Sequence, residues 1–200
     1  ILQKNTSRID IENFYSGVCG EEIFRDIYKK YETRLKENRL IDFDDMLSYT
    51  YELFKERPDI LALWQNKYKY ILIDEFQDIN RLQYEIIKML AAPQNNLFIV
   101  GDDDQSIYRF RGSKPEIMLG FEKDYPDAKR ILLDTNYRCG RYIVEASLNL
   151  ISHNRERFDK KIIAASKSKA PVTFADFENR RDENIFLIRD IDKKIKAGAV

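Results

Sequence analysis

Two adjacent carboxylates, Asp74 and Glu75, follow directly on the apolar run Tyr70-Ile71-Leu72-Ile73. A short, β-branched apolar run of this kind reads as a strand buried on both faces. Acids fixed at the rigid end of such a strand suit one chemistry, in which the first holds a magnesium ion and the second orients and deprotonates a water. That is the Walker B arrangement. Taken alone, an apolar run followed by two acids is a weak signal, and a strand that ends in solvated carboxylates is the commoner case. Two more apolar runs end in polar residues: Leu97-Phe98-Ile99-Val100 leads into Gly101-Asp102, and Ile131-Leu132-Leu133 leads into Asp134. The complementary phosphate-holding run, Gly-x-x-x-x-Gly-Lys-Ser/Thr, does not occur. Gly112-Ser113-Lys114-Pro115 has the residue types without the spacing, and Pro115 stands where a hydroxyl is needed. His153 has no Cys or His partner at ligand spacing, so a zinc site is not expected.

The elements that must carry these residues are legible from periodicity. Phe24, Ile27, Tyr28, Tyr31 and Leu35 recur at helical spacing and predict a helix over residues 21–37. Phe43, Met46, Leu47, Thr50 and Phe54 predict a second, with Asp42 as its N-cap, and Arg57-Pro58 separates it from a short helical stretch near residues 60–64. Between the first two apolar runs, Leu82, Ile86 and Leu90 mark a helix opened by an Asn80/Gln83 capping box. Three predicted strands at residues 70–73, 97–100 and 131–133, the first two joined by a helix, argue for an open α/β parallel sheet. Such sheets bind ligands beyond their strand C-termini. Further on, residues 141–151 read as a helix, residues 164–170 as a linker or surface loop, and residues 172–177 as another strand. Ile185, Ile188, Asp192 and Ile195 place a last helix that ends near Gly198.

Composition narrows the class. With 34 basic and 34 acidic residues in 200 the formal net charge is zero, so no bulk attraction to a polyanion or an anionic membrane is expected. The charge is unevenly spread, however: residues 42–104 hold 13 acidic and 6 basic side chains, residues 129–169 hold 10 basic and 4 acidic. Contact with a polyanion must therefore be local. Cys19 and Cys139 are too few for a disulfide framework, and no signal segment or membrane-length apolar run is present. A reducing, cytoplasmic setting is expected. The chain opens at Ile1 rather than Met, which fits a segment of a longer polypeptide.

Three stretches taken together, Ile71-Leu72-Ile73-Asp74-Glu75-Phe76-Gln77-Asp78, Val100-Gly101-Asp102-Asp103-Asp104-Gln105-Ser106-Ile107-Tyr108-Arg109-Phe110-Arg111-Gly112 and Leu133-Asp134-Thr135-Asn136-Tyr137-Arg138, resemble motifs II, III and IV of superfamily 1 DNA helicases of the UvrD/Rep/PcrA type. The likeness extends over residues 40–160 and more loosely to both ends. It implies Asp74 and Glu75 as the Mg²⁺-associated carboxylates, with Glu75 the base that prepares the attacking water. It implies Gln105 as the amide that senses the γ-phosphate, Tyr137 as the ring stacked on adenine, and Arg138 as the arginine that reaches the γ-phosphate from a second RecA-like domain. Tyr108 and Phe110 match aromatic positions that line the single-strand path, where a ring stacks on any base. Many relatives carry Trp where Phe110 stands. Arg109 and Arg111 flank that pair, to contact DNA phosphates or to brace the motif III loop. Asp44, Asp45, Asp102, Asp103, Asp104 and Asp134 have no assigned role, since turn and capping duties suffice for Asp.

The fold class so implied is α/β: a partial RecA-like P-loop motor domain, a parallel sheet with flanking helices, preceded by a helical segment and followed by the start of a second such domain. Residues 1–41 would end the helical insertion, 42–130 form the C-terminal part of the first motor domain, and 131–200 begin the second. The parent would be an ATP- and Mg²⁺-dependent helicase and translocase, 3′-to-5′ in direction, acting on single-stranded and partly duplex DNA, with no membrane association. Lacking the phosphate loop and the later motifs V and VI, this segment alone is expected to be inactive. The alternatives are a helicase-like non-catalytic scaffold and a helicase-nuclease subunit of a recombination complex.

Overall fold

The computed structural model describes residues 20–108, 112–168 and 170–198, which fall into two units. The first contains the chain as far as Arg130 together with Glu156–Phe158; the second contains Ile131–Arg155 and the chain from Asp159 onward. Among the described residues no helix is long and apolar enough to cross a membrane.

The first unit begins with α1, Glu21–Glu37, which has acids in its first turn and Arg34 and Lys36 in its last, each sign facing the favourable end of the helix dipole. Helix α2, Phe43–Glu56, opens on a capping box: the Asp42 carboxylate accepts from Asp45 N at 2.7 Å, and the Asp45 carboxylate accepts from Asp42 N at 3.2 Å. Loss of such a cap costs about 1 kcal/mol. The Tyr31 hydroxyl also donates to Asp42, at 3.0 Å, which ties α1 to the start of α2. Helix α3, Pro58–Lys67, has Pro58 in its first turn, where the missing N–H costs nothing. It runs longer than its apolar residues alone predict. Helix α4, Arg81–Ala91, carries the expected Asn80/Gln83 box, with both bonds at 2.9 Å. Phe54 of α2 packs with Leu82 and Ile86 of α4, and Ile60 and Leu61 of α3 complete this core. Each large apolar side chain fully buried there stabilises by about 1.5–3 kcal/mol.

Strands β1, Ile71–Ile73, and β2, Leu97–Ile99, pair in parallel with Ile71 opposite Leu97 and Ile73 opposite Ile99, and α4 is their crossover. One expectation fails here. The unbroken apolar runs predict strands covered on both faces, yet Leu72 is 71% and Phe98 56% exposed. Helices of this unit cover the face of Ile73 and Ile99, which pack on a second core of Phe76, Ile79 and Tyr84 with Phe121 and Tyr125. Helices α5, Pro115–Leu119, and α6, Phe121–Asp124, close that core. Phe76 meets Tyr84 and Phe121 edge-on at 5.9 and 5.6 Å between centroids, a favoured aromatic geometry.

In the second unit β3, Thr135–Gly140, pairs in parallel with β4, Ile163–Ser166. Helix α7, Arg141–Ile151, packs on both strands and buries Val144. Helix α8, Arg180–Lys196, is capped by the Asn179 side chain, which accepts from Asp182 N at 3.1 Å. Three sequence expectations are corrected. The apolar residues 131–133 are not a strand: the ladder starts where Ile163 N donates to Asp134 O, at 2.7 Å, so the strand is displaced onto Thr135–Gly140. Residues 163–166, largely placed in an expected linker, form β4, in which Ala164 and Ser166 are half-buried and Ile163 and Ala165 exposed. Residues 172–177 form no strand. Backbone partners, which a single-strand pattern does not reveal, decide the first two.

Candidate functional site

The carboxylates stand where β1 ends. Val100 N donates to Ile73 O at 2.8 Å and Phe76 N donates to Val100 O at 2.9 Å, so backbone pairing continues past the strand and fixes Asp74 and Glu75 at its C-terminal edge. Glu75 turns the chain out of the sheet with φ 51°, a left-handed conformation that costs a non-glycine residue about 1–2 kcal/mol. Its amide N–H donates to Asp74 Oδ1 at 2.9 Å, which helps hold the turn. Both acids are exposed. A short 3-10 turn, Phe76–Asp78, follows, and within it Phe76 and Gln77 are the most deeply buried large side chains among the described residues. Burial, and the Glu75 carboxylate beside it, push Asp78 above the usual carboxylate range.

Gln77 bridges two strand ends. Its Nε2 donates to Glu75 Oε2 at 2.7 Å, and its Oε1 accepts from Asp102 N at 2.9 Å. Asp102 in turn organises the turn beyond β2: its Oδ1 accepts from Asp104 N at 3.2 Å and its Oδ2 accepts from Gln105 Nε2 at 2.7 Å. The structure thereby brings Asp74, Glu75 and Gln105 to one edge of the first unit. Gly101 makes room for this bridge. A Cβ there would stand 2.5 Å from Gln77 Oε1 and 3.1 Å from Phe76 N. Gly101→Ala is therefore expected to lower stability by about 1–3 kcal/mol, as overpacking does in a filled site. Chemical denaturation measures this, and an unchanged midpoint would show that Gln77 gives way freely.

Asp103 and Asp104, which sequence reasoning left without a role, are anchors for this turn. Arg157 holds Asp104 with a fork of two bonds, 2.7 Å from Nε to Oδ1 and 2.6 Å from Nη2 to Oδ2, and both side chains are largely buried. Phe158 N donates to Asp103 Oδ2 at 2.8 Å, and the Arg130 guanidinium lies 4.5 Å from the centre of the Phe158 ring. A planar fork against a carboxylate gives orientation as well as attraction. The signal missed in the sequence is the run of three acids after Gly101, more than one turn needs for capping. Gln77 and Arg157 were missed as well, and only their distant partners reveal them.

The remaining expected residues divide three ways. Tyr108, 37% exposed, follows the turn in the first unit, and its carbonyl accepts from Ser113 N at 3.4 Å. Tyr137 and Arg138 lie on β3 of the second unit; Tyr137 is 82% exposed, and the Asn136 side chain accepts from Arg138 N at 2.9 Å. Phe110 and Arg111, with Arg109, lie outside the described residues, as does Cys19.

The donor set fits magnesium. Two exposed carboxylates, each with one oxygen engaged by an N–H, offer hard oxygen ligands at a strand end. Among the described residues no group of three or more His, Cys, Asp or Glu side chains could hold a metal by itself. Mg²⁺ asks for no such cage, since it takes one or two carboxylates and fills its shell with water and substrate phosphate.

The UvrD/REP helicase N-terminal domain family matches residues 3–126. The chain is 48% identical over 180 residues, 90% of its length, to YjcD of Bacillus subtilis, whose name assigns it provisionally to the ATP-dependent DNA helicases. It is 40% identical over 172 residues, 86% of its length, to the ATP-dependent DNA helicase PcrA of Staphylococcus epidermidis, and 41% identical over the same length to PcrA of Staphylococcus aureus. It spans about a quarter of the length of these curated relatives, 24% in each case.

Proposed function

The chain belongs to the UvrD/Rep helicase family, and on that premise we propose that it is a segment of an ATP-dependent DNA helicase that couples ATP hydrolysis to movement along single-stranded DNA and to duplex unwinding, in the 3′-to-5′ direction. Residues 1–41 end the helical insertion, 42–130 complete the first RecA-like motor domain and 131–200 begin the second. The enzyme works in the cytoplasm.

One observation supports this reading most: the bonded path Glu75, Gln77, Asp102, Gln105 at the C-terminal edge of a parallel sheet. It links a carboxylate to a neutral amide through one chain of hydrogen bonds, and these are two group types that hydrolysis of a terminal phosphate uses. Glu75 accepts the proton of the attacking water, and Gln105 hydrogen-bonds the γ-phosphate or that water without titrating. Asp74, with Glu75 beside it, would hold Mg²⁺, which supplies neutralisation of charge on the phosphate oxygens. Tyr137 stacks on adenine. Arg138 meets the γ-phosphate with a fork that stays charged throughout. Tyr108 and Phe110 stack on bases of the single strand, and Arg111 pairs with its phosphates.

The sequence has no Gly-x-x-x-x-Gly-Lys-Ser/Thr run, so nothing in this chain cradles the β- and γ-phosphates, and positioning dominates phosphoryl transfer. Phosphate release in the presence of Mg²⁺ and single-stranded DNA tests both halves of the proposal. The full-length protein is expected to turn over ATP, whereas residues 1–200 alone are not. Turnover by the 200-residue chain that Glu75→Gln abolishes would overturn the second half, and an inert full-length protein the first.

A further inference from the structure

The chain crosses between its two units three times. It leaves the first after Arg130, returns for Glu156–Phe158, and leaves again at Asp159. Everything between the first two crossings, Ile131–Arg155, belongs to the second unit and includes β3 with Tyr137 and Arg138. Both ends of that excursion are fastened to the first unit. At one end Arg130 forks onto Glu122, with Nε donating to Oε1 at 2.9 Å and Nη2 donating to Oε2. At the other, Arg157 forks onto Asp104 and Phe158 N donates to Asp103 Oδ2. The two ends also meet each other, because the Arg130 guanidinium lies over the Phe158 ring, within cation–π range.

The forks differ in strength. Arg130 and Glu122 are each 45% exposed, where solvent screens an ion pair until it is worth little. Arg157 and Asp104 are 14% and 16% exposed, and a two-bond pair so shielded fixes orientation as well as giving attraction. Arg157 is therefore the main fastening. A segment held at one end searches a wide volume, whereas one held at both ends searches little, and the entropy of closing it is lost on folding rather than on binding.

We propose that Arg157 is a positioning residue for nucleotide binding: by fastening the C-terminal end of the 131–155 excursion to Asp104, while Arg130 fastens the other end, it restricts the freedom of Tyr137 and Arg138 and so raises the affinity for ATP. With the Arg157 fork cut, the excursion is held at one end only. The inference rests on the helicase reading given above, which assigns Tyr137 and Arg138 to the nucleotide, and deepens it by naming a residue remote in sequence that limits how far they can stray.

The test uses the full-length protein and compares wild type, Arg157→Ala and Arg157→Lys by two measurements. The first is amide hydrogen exchange across residues 156–158, corrected for intrinsic rates, where Asp103 holds the Phe158 N–H. The second is equilibrium titration with N-methylanthraniloyl-ATP in the presence of Mg²⁺. In Arg157→Ala, exchange is expected to quicken by about tenfold or more, since local opening governs it. The Kd for the analogue is expected to rise about tenfold, as it does when the binding-competent fraction falls to about a tenth. Arg157→Lys keeps the charge without the planar fork and is expected to fall between the two in both measurements. Unchanged exchange in Arg157→Ala overturns the fastening. Faster exchange with unchanged affinity overturns the positioning role, because a merely structural contact would give that result. Should Arg157→Ala fail to fold, Asp104→Asn, which keeps the shape of the acceptor and removes its charge, is read by the same two criteria. Failure of the helicase reading looks different: wild type would bind no analogue while exchange across residues 156–158 still responded to Arg157→Ala, and that result removes this proposal along with the reading.

Discussion

Arg138→Ala in the full-length protein is expected to lower ATP turnover by about 10³–10⁵-fold, the range by which an arginine at a transferring phosphoryl group accelerates the reaction. The side chain is exposed on β3, so truncation removes no core packing and the melting temperature stays within the scatter of surface substitutions. Asn136 holds the backbone at this point, its Oδ1 accepting from both Arg138 N and Cys139 N, at 2.9 and 2.8 Å. The side chain therefore leaves from a fixed base. Arg138→Lys restores little, because a point charge replaces a planar fork that binds two oxygens at once. Steady-state phosphate release with Mg²⁺ and single-stranded DNA decides the matter. Turnover within about tenfold of wild type would remove Arg138 from the γ-phosphate, since the expected loss begins at 10³.

Glu75→Gln is expected to give the second large effect, a fall of about 10²–10⁴-fold in the hydrolysis step, the usual range for losing a general base. The substitution is nearly isosteric, and the amide oxygen it introduces can still accept from Gln77 Nε2. What it cannot do is take a proton from water. ATP binding is thus expected to be retained while hydrolysis is lost, a separation that a fluorescent ATP analogue followed alongside single-turnover phosphate release would show. Unimpaired hydrolysis would mean that another group prepares the water.

That Asp74, Glu75 and Gln105 stand just beyond strand ends was legible in the sequence because strand, turn and polar cluster follow one another within a few residues. Both N-terminal capping residues, Asp42 and Asn80, were equally plain, since a cap and the residue three positions on share a single turn. The lattice that organises the site was not legible. Gln77 meets Asp102 across 25 positions and Arg157 meets Asp104 across 53, separations at which no local periodicity survives. Strand placement in the second unit failed for a related reason. Residues 131–133 have the stronger β-propensity, but pairing with Ile163–Ser166 selects Thr135–Gly140, and the pairing is a property of two segments rather than one. The apolar runs at β1 and β2 predict two covered faces, whereas the face of Leu72 and Phe98 is exposed in this chain, which spans about a quarter of the length of its curated relatives.

On the proposed helicase reading, the left-handed backbone at Glu75 sets foldability against activity at a single position. Glycine adopts φ near 51° without penalty, and asparagine does so far more readily than a long acidic side chain. A library of variants at position 75 screened only for thermal endurance would enrich Gly and Asn, and each winner would have given up the one side chain there able to accept a proton. On that reading, consensus or stability-guided redesign of this segment must hold the position fixed, because the sturdier protein would be the idle one.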